Sequence, residues 1–150
     1  MKNKGFSMVE LIVVIAIMAI LVGALSPLLM QYIHKARLSA DVDTGAEISR
    51  AIMACVVNDS VKDSAKEHNS PVPVNGMDGQ EFKDAVFAML GQKDSITGRS
   101  TKDADGNKIA DDKRQFYYTL DAEKNKVEVY YGGETADYQV YPVVGSKLVQ

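Results

Sequence analysis

The chain has one cysteine and two histidines in 150 residues. Cys55, alone, cannot form an intramolecular disulfide. With only His34 and His68 there is no His-Glu-x-x-His metal helix. The sequence also lacks a Gly-x-Ser-x-Gly elbow, a Walker loop and a Cys-x-x-Cys pair. No catalytic residue and no cofactor are assigned on this basis. Basic residues are in deficit as well, 17 against 20 acidic, for a net charge of −3. An acidic chain has no general electrostatic hold on nucleic acid. One domain's worth of residues remains, and its most informative stretch is at the start.

Lys4-Gly5-Phe6-Ser7-Met8-Val9-Glu10 joins a short basic leader to an uninterrupted apolar run that continues from Leu11 to Leu25. A secretory signal has an apolar core of roughly 7–15 residues followed by its cleavage site. This run is longer. Residues 6–30 would rise about 37 Å as a helix, enough to span a bilayer and more than a small soluble core needs. A plain membrane anchor leaves Glu10 unexplained, because a carboxylate inside an apolar span is costly and marks a functional site. Lys2 and Lys4 would hold the leader in the cytoplasm.

This layout resembles the type IV pilin and pseudopilin family. The resemblance implies that a prepilin peptidase cuts after Gly5, that the Phe6 nitrogen is then methylated, and that Glu10 guides assembly. It divides the chain into a leader (1–5), a transmembrane and filament-core segment (6–30) and a globular head (31–150) that includes the second half of the helix. Loss of the leader leaves 15 basic and 20 acidic residues, a net charge of −5. The implied fold is α+β, a long N-terminal helix packed against a small antiparallel C-terminal sheet. The implied partners are copies of the same chain in a helical filament, the prepilin peptidase, the inner-membrane assembly machinery and membrane lipid. The implied location is a single-pass membrane protein with a cytoplasmic leader, and then a surface filament. A pilus subunit for adhesion, motility or DNA uptake is one reading. A secretion-like pseudopilin is another, and a single-span surface binding protein with a pilin-like anchor is a third. Many pilins of Gram-negative bacteria close a C-terminal loop with a disulfide. This chain cannot, which points to a Gram-positive source or a disulfide-free pseudopilin.

The helix is expected to run from about residue 6 to about residue 59. Pro27 removes one hydrogen bond and crowds the preceding turn, and Gly23 weakens the helix nearby, so a kink is expected there. Ala19 and Gly23 form a small-xxx-small pair that either admits a second helix or simply faces lipid. Beyond it, Leu38, Val42, Gly45, Ile48, Ile52, Cys55 and Val56 recur every three or four residues. That stripe should face a sheet, with Cys55 a small buried hydrophobe. Lys35, Arg37, Asp41, Asp43, Glu47 and Arg50 should face solvent or neighbouring subunits.

Residues 59–75, with Pro71 and Pro73, are expected to form a loop. Asp78-Gly79-Gln80-Glu81 has the form of a capping box for a second helix. Its apolar face would be Phe82, Ala85, Val86, Met89 and Leu90, with Gly91 as terminator. Three strands follow. Pairing Leu120 with Val127, Tyr118 with Val129 and Phe116 with Tyr131 puts one apolar set on one side, and Tyr117 meets Tyr130 on the other. Residues 121–126 supply the turn. Residues 138–141 give the third strand, which Pro142 ends.

Two features remain. Asp103, Asp105 and Asp112 surround an Asp-Gly turn in a manner that suits Ca²⁺, and some pseudopilins bind Ca²⁺ in a loop of this region. The spacing fails the EF-hand pattern, however, and favours an ordinary turn with no metal. Six of seven tyrosines lie between residues 117 and 141. They read either as a half-buried sheet or as an adhesive outer face.

Overall fold

The computed structural model describes residues 5–58, 60–92, 95–121 and 125–149. Leader residues 1–4, Asp59 at the expected helix end and residues 122–124 of the expected hairpin turn lie outside the described residues. Contacts divide the chain into two units, Met1–His34 and Lys35–Gln150. One helix, α1, runs Met8–Val56, and its assignment is uninterrupted through Gly23 and Pro27. In the first unit every described residue up to Tyr32 is exposed. This part of α1 is long and apolar enough to cross a membrane.

In the second unit, residues 35–56 of α1 and a shorter helix, α2 (Gln80–Met89), accompany four strands. These are β1 (His68–Pro73), β2 (Phe116–Asp121), β3 (Lys126–Tyr131) and β4 (Gln139–Tyr141). They pair antiparallel in the order β1-β2-β3-β4. The arrangement is α+β and pilin-like. Leu38, Ile48, Ile52 and Cys55 of α1 share one core with Phe82 and Val86 of α2 and with Phe116, Tyr118, Val129 and Tyr131 of the sheet. At Gly45 α1 approaches the sheet closely, because a Cβ there would sit 2.9 Å from Val140 Cβ.

The β2–β3 register is the expected one: Leu120 opposite Val127, Tyr118 opposite Val129, Phe116 opposite Tyr131 and Tyr117 opposite Tyr130. A one-residue slip would have turned every apolar side chain to the other face. Four expectations need correction. First, residues 68–73 are a strand and not a loop. Pro71 and Pro73 lack the N–H of a central strand, but β1 is an edge strand, the place in a sheet where proline is tolerated. The pairing shifts between His68 and Val72.

Second, Asp78 and Glu81 form no capping box. Gly79 is the N-cap, at φ 79°, with no side-chain capping bond. Its positive φ and its contact with the Ser64 carbonyl, which a Cβ would overlap, fix Gly79 there. Glu81 instead accepts from Ser64 Oγ at 3.2 Å, and Asp78 lies 3.8 Å from His68 and 3.9 Å from Lys66. Third, Phe87 is buried on α2, whereas Met89 is 60 % exposed. Gly91, at φ 64°, ends that helix as expected.

The fourth correction is Asp41. It is only 2 % exposed, rather than facing solvent or a neighbour. Its carboxylate accepts from the backbone N–H of Arg99 at 2.7 Å and of Ser100 at 2.6 Å. Tyr131 donates to the Ser100 carbonyl at 2.6 Å, and the Gly98 backbone leaves no room for a Cβ against the Tyr131 ring. Helix, sheet and the 98–100 segment therefore meet at one carboxylate. Burial, the dominant effect, raises the Asp41 pKa, while the two N–H donors pull it down.

Candidate functional site

The start of α1 is built by two residues acting on each other. Ser7 is followed three positions later by Glu10, the Ser-x-x-Glu spacing of a capping box. The Ser7 N–H donates to Glu10 Oε2 at 2.9 Å, and the Val9 N–H donates to Ser7 Oγ at 3.3 Å. The Ser7 carbonyl accepts from Leu11 N–H at 3.2 Å and opens the helical ladder. These bonds satisfy donors that a helix start leaves free, and a carboxylate in the first turn also suits the helix dipole. Ser7 is the site residue that the sequence reading missed, although Ser-x-x-Glu ahead of an apolar run was the signal for it.

Glu10 therefore has a conformational role within its own chain. Its carboxylate is turned back to the N–H of Ser7, and the Phe6 nitrogen is the next one along the backbone. Phe6 is 89 % exposed. A Cβ at Gly5 would meet nothing within 4 Å, nor would one at Gly23. The described chain thus imposes no steric demand for glycine at position 5. Any such demand lies with whatever acts on that bond. Gly23 lies four residues from Ala19 and four from Pro27 on the exposed apolar stretch of α1.

The acidic turn is a closed arrangement. Asp103 is buried and accepts from the Asn107 backbone N–H at 2.8 Å, from Asn107 Nδ2 at 3.2 Å and from Tyr138 Oη at 3.4 Å. Asp105 pairs with Lys147, and that contact holds the ammonium pKa above its ordinary range. Asp112 is exposed, and its backbone carbonyl accepts from Gln115 at 3.0 Å. Among the described residues, no three His, Cys, Asp or Glu side chains are grouped as a metal site requires. Asp103, Asp105 and Asp112 are therefore not brought together. The same turn instead receives the C-terminal segment: Ala104 N–H donates to the Lys147 carbonyl at 2.6 Å, and Lys147 N–H to the Asp137 carbonyl at 2.9 Å.

The tyrosines belong to the sheet interior more than to its surface. Tyr117, Tyr118, Tyr130 and Tyr131 are all buried. Burial, assisted by the negative charge of Asp78, pushes Tyr118 up to about 12. Burial and the hydrogen bond to Glu128 push Tyr130 up to about 12. Only Tyr138 and Tyr141 of this group are half-exposed. Cys55 is a free, buried thiol whose sulfur lies 3.7 Å from that of Met89. Burial raises its pKa, which keeps it protonated and inert.

Residues 1–26 match the family model described as the prokaryotic N-terminal methylation motif, the type IV pilin and pseudopilin signature. No curated protein and no solved structure matches the chain.

Proposed function

We propose that this chain is a structural subunit of a type IV pilus, cut between Gly5 and Phe6, methylated on the Phe6 nitrogen and polymerised through α1. The observation that carries the proposal is the methylation motif lying directly on an apolar helix whose described residues up to Tyr32 are all exposed. Such a surface is not stable in water at about 25 cal/mol per Å² of apolar area. It belongs first in a bilayer and then among identical helices. In that setting the amine freed on Phe6 is the cation nearest to Glu10. The capping geometry aims the carboxylate at the adjacent N–H, so the amine of the same chain or of an axially shifted neighbour can meet it. Pairing neutralises both charges in an apolar surrounding, where an unpaired carboxylate costs several kcal/mol or takes up a proton.

A secretion-type pseudopilin shares all of these features. A surface binding protein with a pilin-like anchor would need neither cleavage nor methylation. The test is mass spectrometry of sheared surface filaments, with Gly5→Leu as the control. The expected result is a subunit beginning at N-methylated Phe6, and a full-length membrane precursor from Gly5→Leu. Mature protein of normal size from that variant would refute the processing assignment. Absence of the chain from the filaments would favour the pseudopilin.

A further inference from the structure

The second unit carries one helix face whose charges are unmatched. Lys35, Ser39, Asp43 and Glu47 recur every four residues of α1, and Arg50 follows three later, a spacing that keeps them on one side of the helix. All five are exposed. Asp43 and Arg50 lie away from Ile48 and Ile52, which enter the core. Asp43 and Glu47, one turn apart, repel each other. Yet none of Lys35, Asp43, Glu47 and Arg50 forms an ion pair among the described residues. Beside them an open groove of about 480 Å³ runs between α1 and α2, with Glu47 and Arg50 on one rim and Met89 and Leu90 on the other. That recess leaves room for a neighbouring chain next to the charges.

The order of charge along this face is positive, negative, negative, positive. It complements a parallel copy of itself at one offset. With no offset every charge faces its like. An offset of four residues sets Asp43 against Glu47, and one of fifteen sets Lys35 against Arg50. Offsets of three and twelve give a single opposite pair each. An offset of eight sets Lys35 of one copy against Asp43 of the next, and an offset of seven sets Asp43 against Arg50. Seven to eight residues are about 10.5–12 Å of helix. Long side chains cover that spread, so both pairs form together.

We propose that this face of α1 is an interface between copies of the chain, in which parallel neighbours are offset along the helix by seven to eight residues and pair Lys35 with Asp43 and Asp43 with Arg50. The inference rests on polymerisation through α1, which sets the copies parallel. In a run of copies each Asp43 meets Lys35 of one neighbour and Arg50 of the other. An offset contact of this kind does not close on itself, so it builds a fibre and not a dimer.

The test compares sheared-filament yield from the full-length chain and its variants in cells that assemble it. Asp43→Lys turns both pairs into repulsions and should lower the yield about tenfold. Adding Lys35→Asp and Arg50→Asp to that variant restores opposite charges at the same offset and should return the yield to near wild type. Wild-type yield from Asp43→Lys, or no recovery with the other two changes, would overturn the interface. Cysteine pairing reads the offset. Ser39→Cys with Ala46→Cys, positions too far apart on one helix for a disulfide, should give ladders of linked subunits when filaments are oxidised. Either change alone should give no linked species. Linked dimers from either alone would mean no offset, and filaments of the double variant without a ladder would mean a different one; both overturn the register and leave polymerisation intact. Wild-type cells without the chain in their filaments would refute polymerisation, and this interface with it.

Discussion

Replacing Asp41 tests how the head is held together. Asp41→Ala leaves the N–H groups of Arg99 and Ser100 without their acceptor. Ser100 is buried, and an unsatisfied buried donor costs about 1–3 kcal/mol. Arg99 is exposed, so its N–H regains water in part. Removing a buried carboxylate also removes its own desolvation cost, which offsets some of the loss. The expected net destabilisation is about 2 kcal/mol, or roughly 6–12 °C in the melting temperature for a unit of this size. Asp41→Asn keeps one acceptor oxygen and should cost less, about 1–2 kcal/mol. The pH dependence carries the sharper test. Asp41 is raised from its ordinary value of 3.8, chiefly by burial. The folded state therefore binds its proton more tightly than the unfolded state does. The stabilisation is fully present below pH 3.8 and is lost as pH rises through the folded pKa. The advantage of wild type over Asp41→Asn should be largest in acid and narrow as pH rises across that window. Denaturant titrations of both chains in detergent at pH 3 to 7 would measure it. An advantage that grows with pH would show that the two N–H bonds outweigh desolvation, and would refute a raised Asp41 pKa.

Three further outcomes are expected. Glu10→Gln preserves the capping box, since Gln serves at that position, but removes the charge; cleavage and helix content should be unchanged while filament yield, measured by shearing and blotting, falls sharply, and wild-type yield would show that the charge does not drive assembly. Millimolar Ca²⁺ should leave the head's melting temperature unchanged, because Asp103 is already bonded to Asn107 and Tyr138 and Asp105 to Lys147; a rise reversed by chelator would restore the calcium reading. Gly79→Ala should destabilise by more than about 1 kcal/mol in thermal melts, because φ is positive and the new Cβ overlaps the Ser64 carbonyl; a neutral effect would mean that the cap relaxes freely.

Several features could be read directly from the residues. The long helix follows from an unbroken apolar run that gives way to a three-and-four stripe, because periodicity is a local property of the chain. The β2–β3 register follows from matching alternation together with the short turn, since a one-residue offset would put Phe116, Tyr118 and Leu120 on the face opposite to Tyr131, Val129 and Val127. The processing motif is likewise a linear pattern, read by an enzyme on an exposed segment, and needs no fold to be visible. Ser7 was legible on the same terms, since a capping box lies within four consecutive residues.

Other features depended on which distant segments meet. Asp41 has the local pattern of a surface charge. It is buried because the 98–100 backbone, nearly sixty residues away, brings two N–H donors to it. Pro71 and Pro73 argue for a loop until β2 supplies a partner and leaves their other side at the sheet edge. Asp78 and Glu81 fit a cap pattern, but the Ser64 carbonyl claims the space at Gly79, and the two acids have distant partners, His68 and Lys66 for Asp78 and the Ser64 hydroxyl for Glu81. Asp103 and Asp105 look like cation ligands in sequence, and the fold brings Tyr138 and Lys147 to them instead. In each case the local residues set the chemistry of the group, and long-range packing chose its partner.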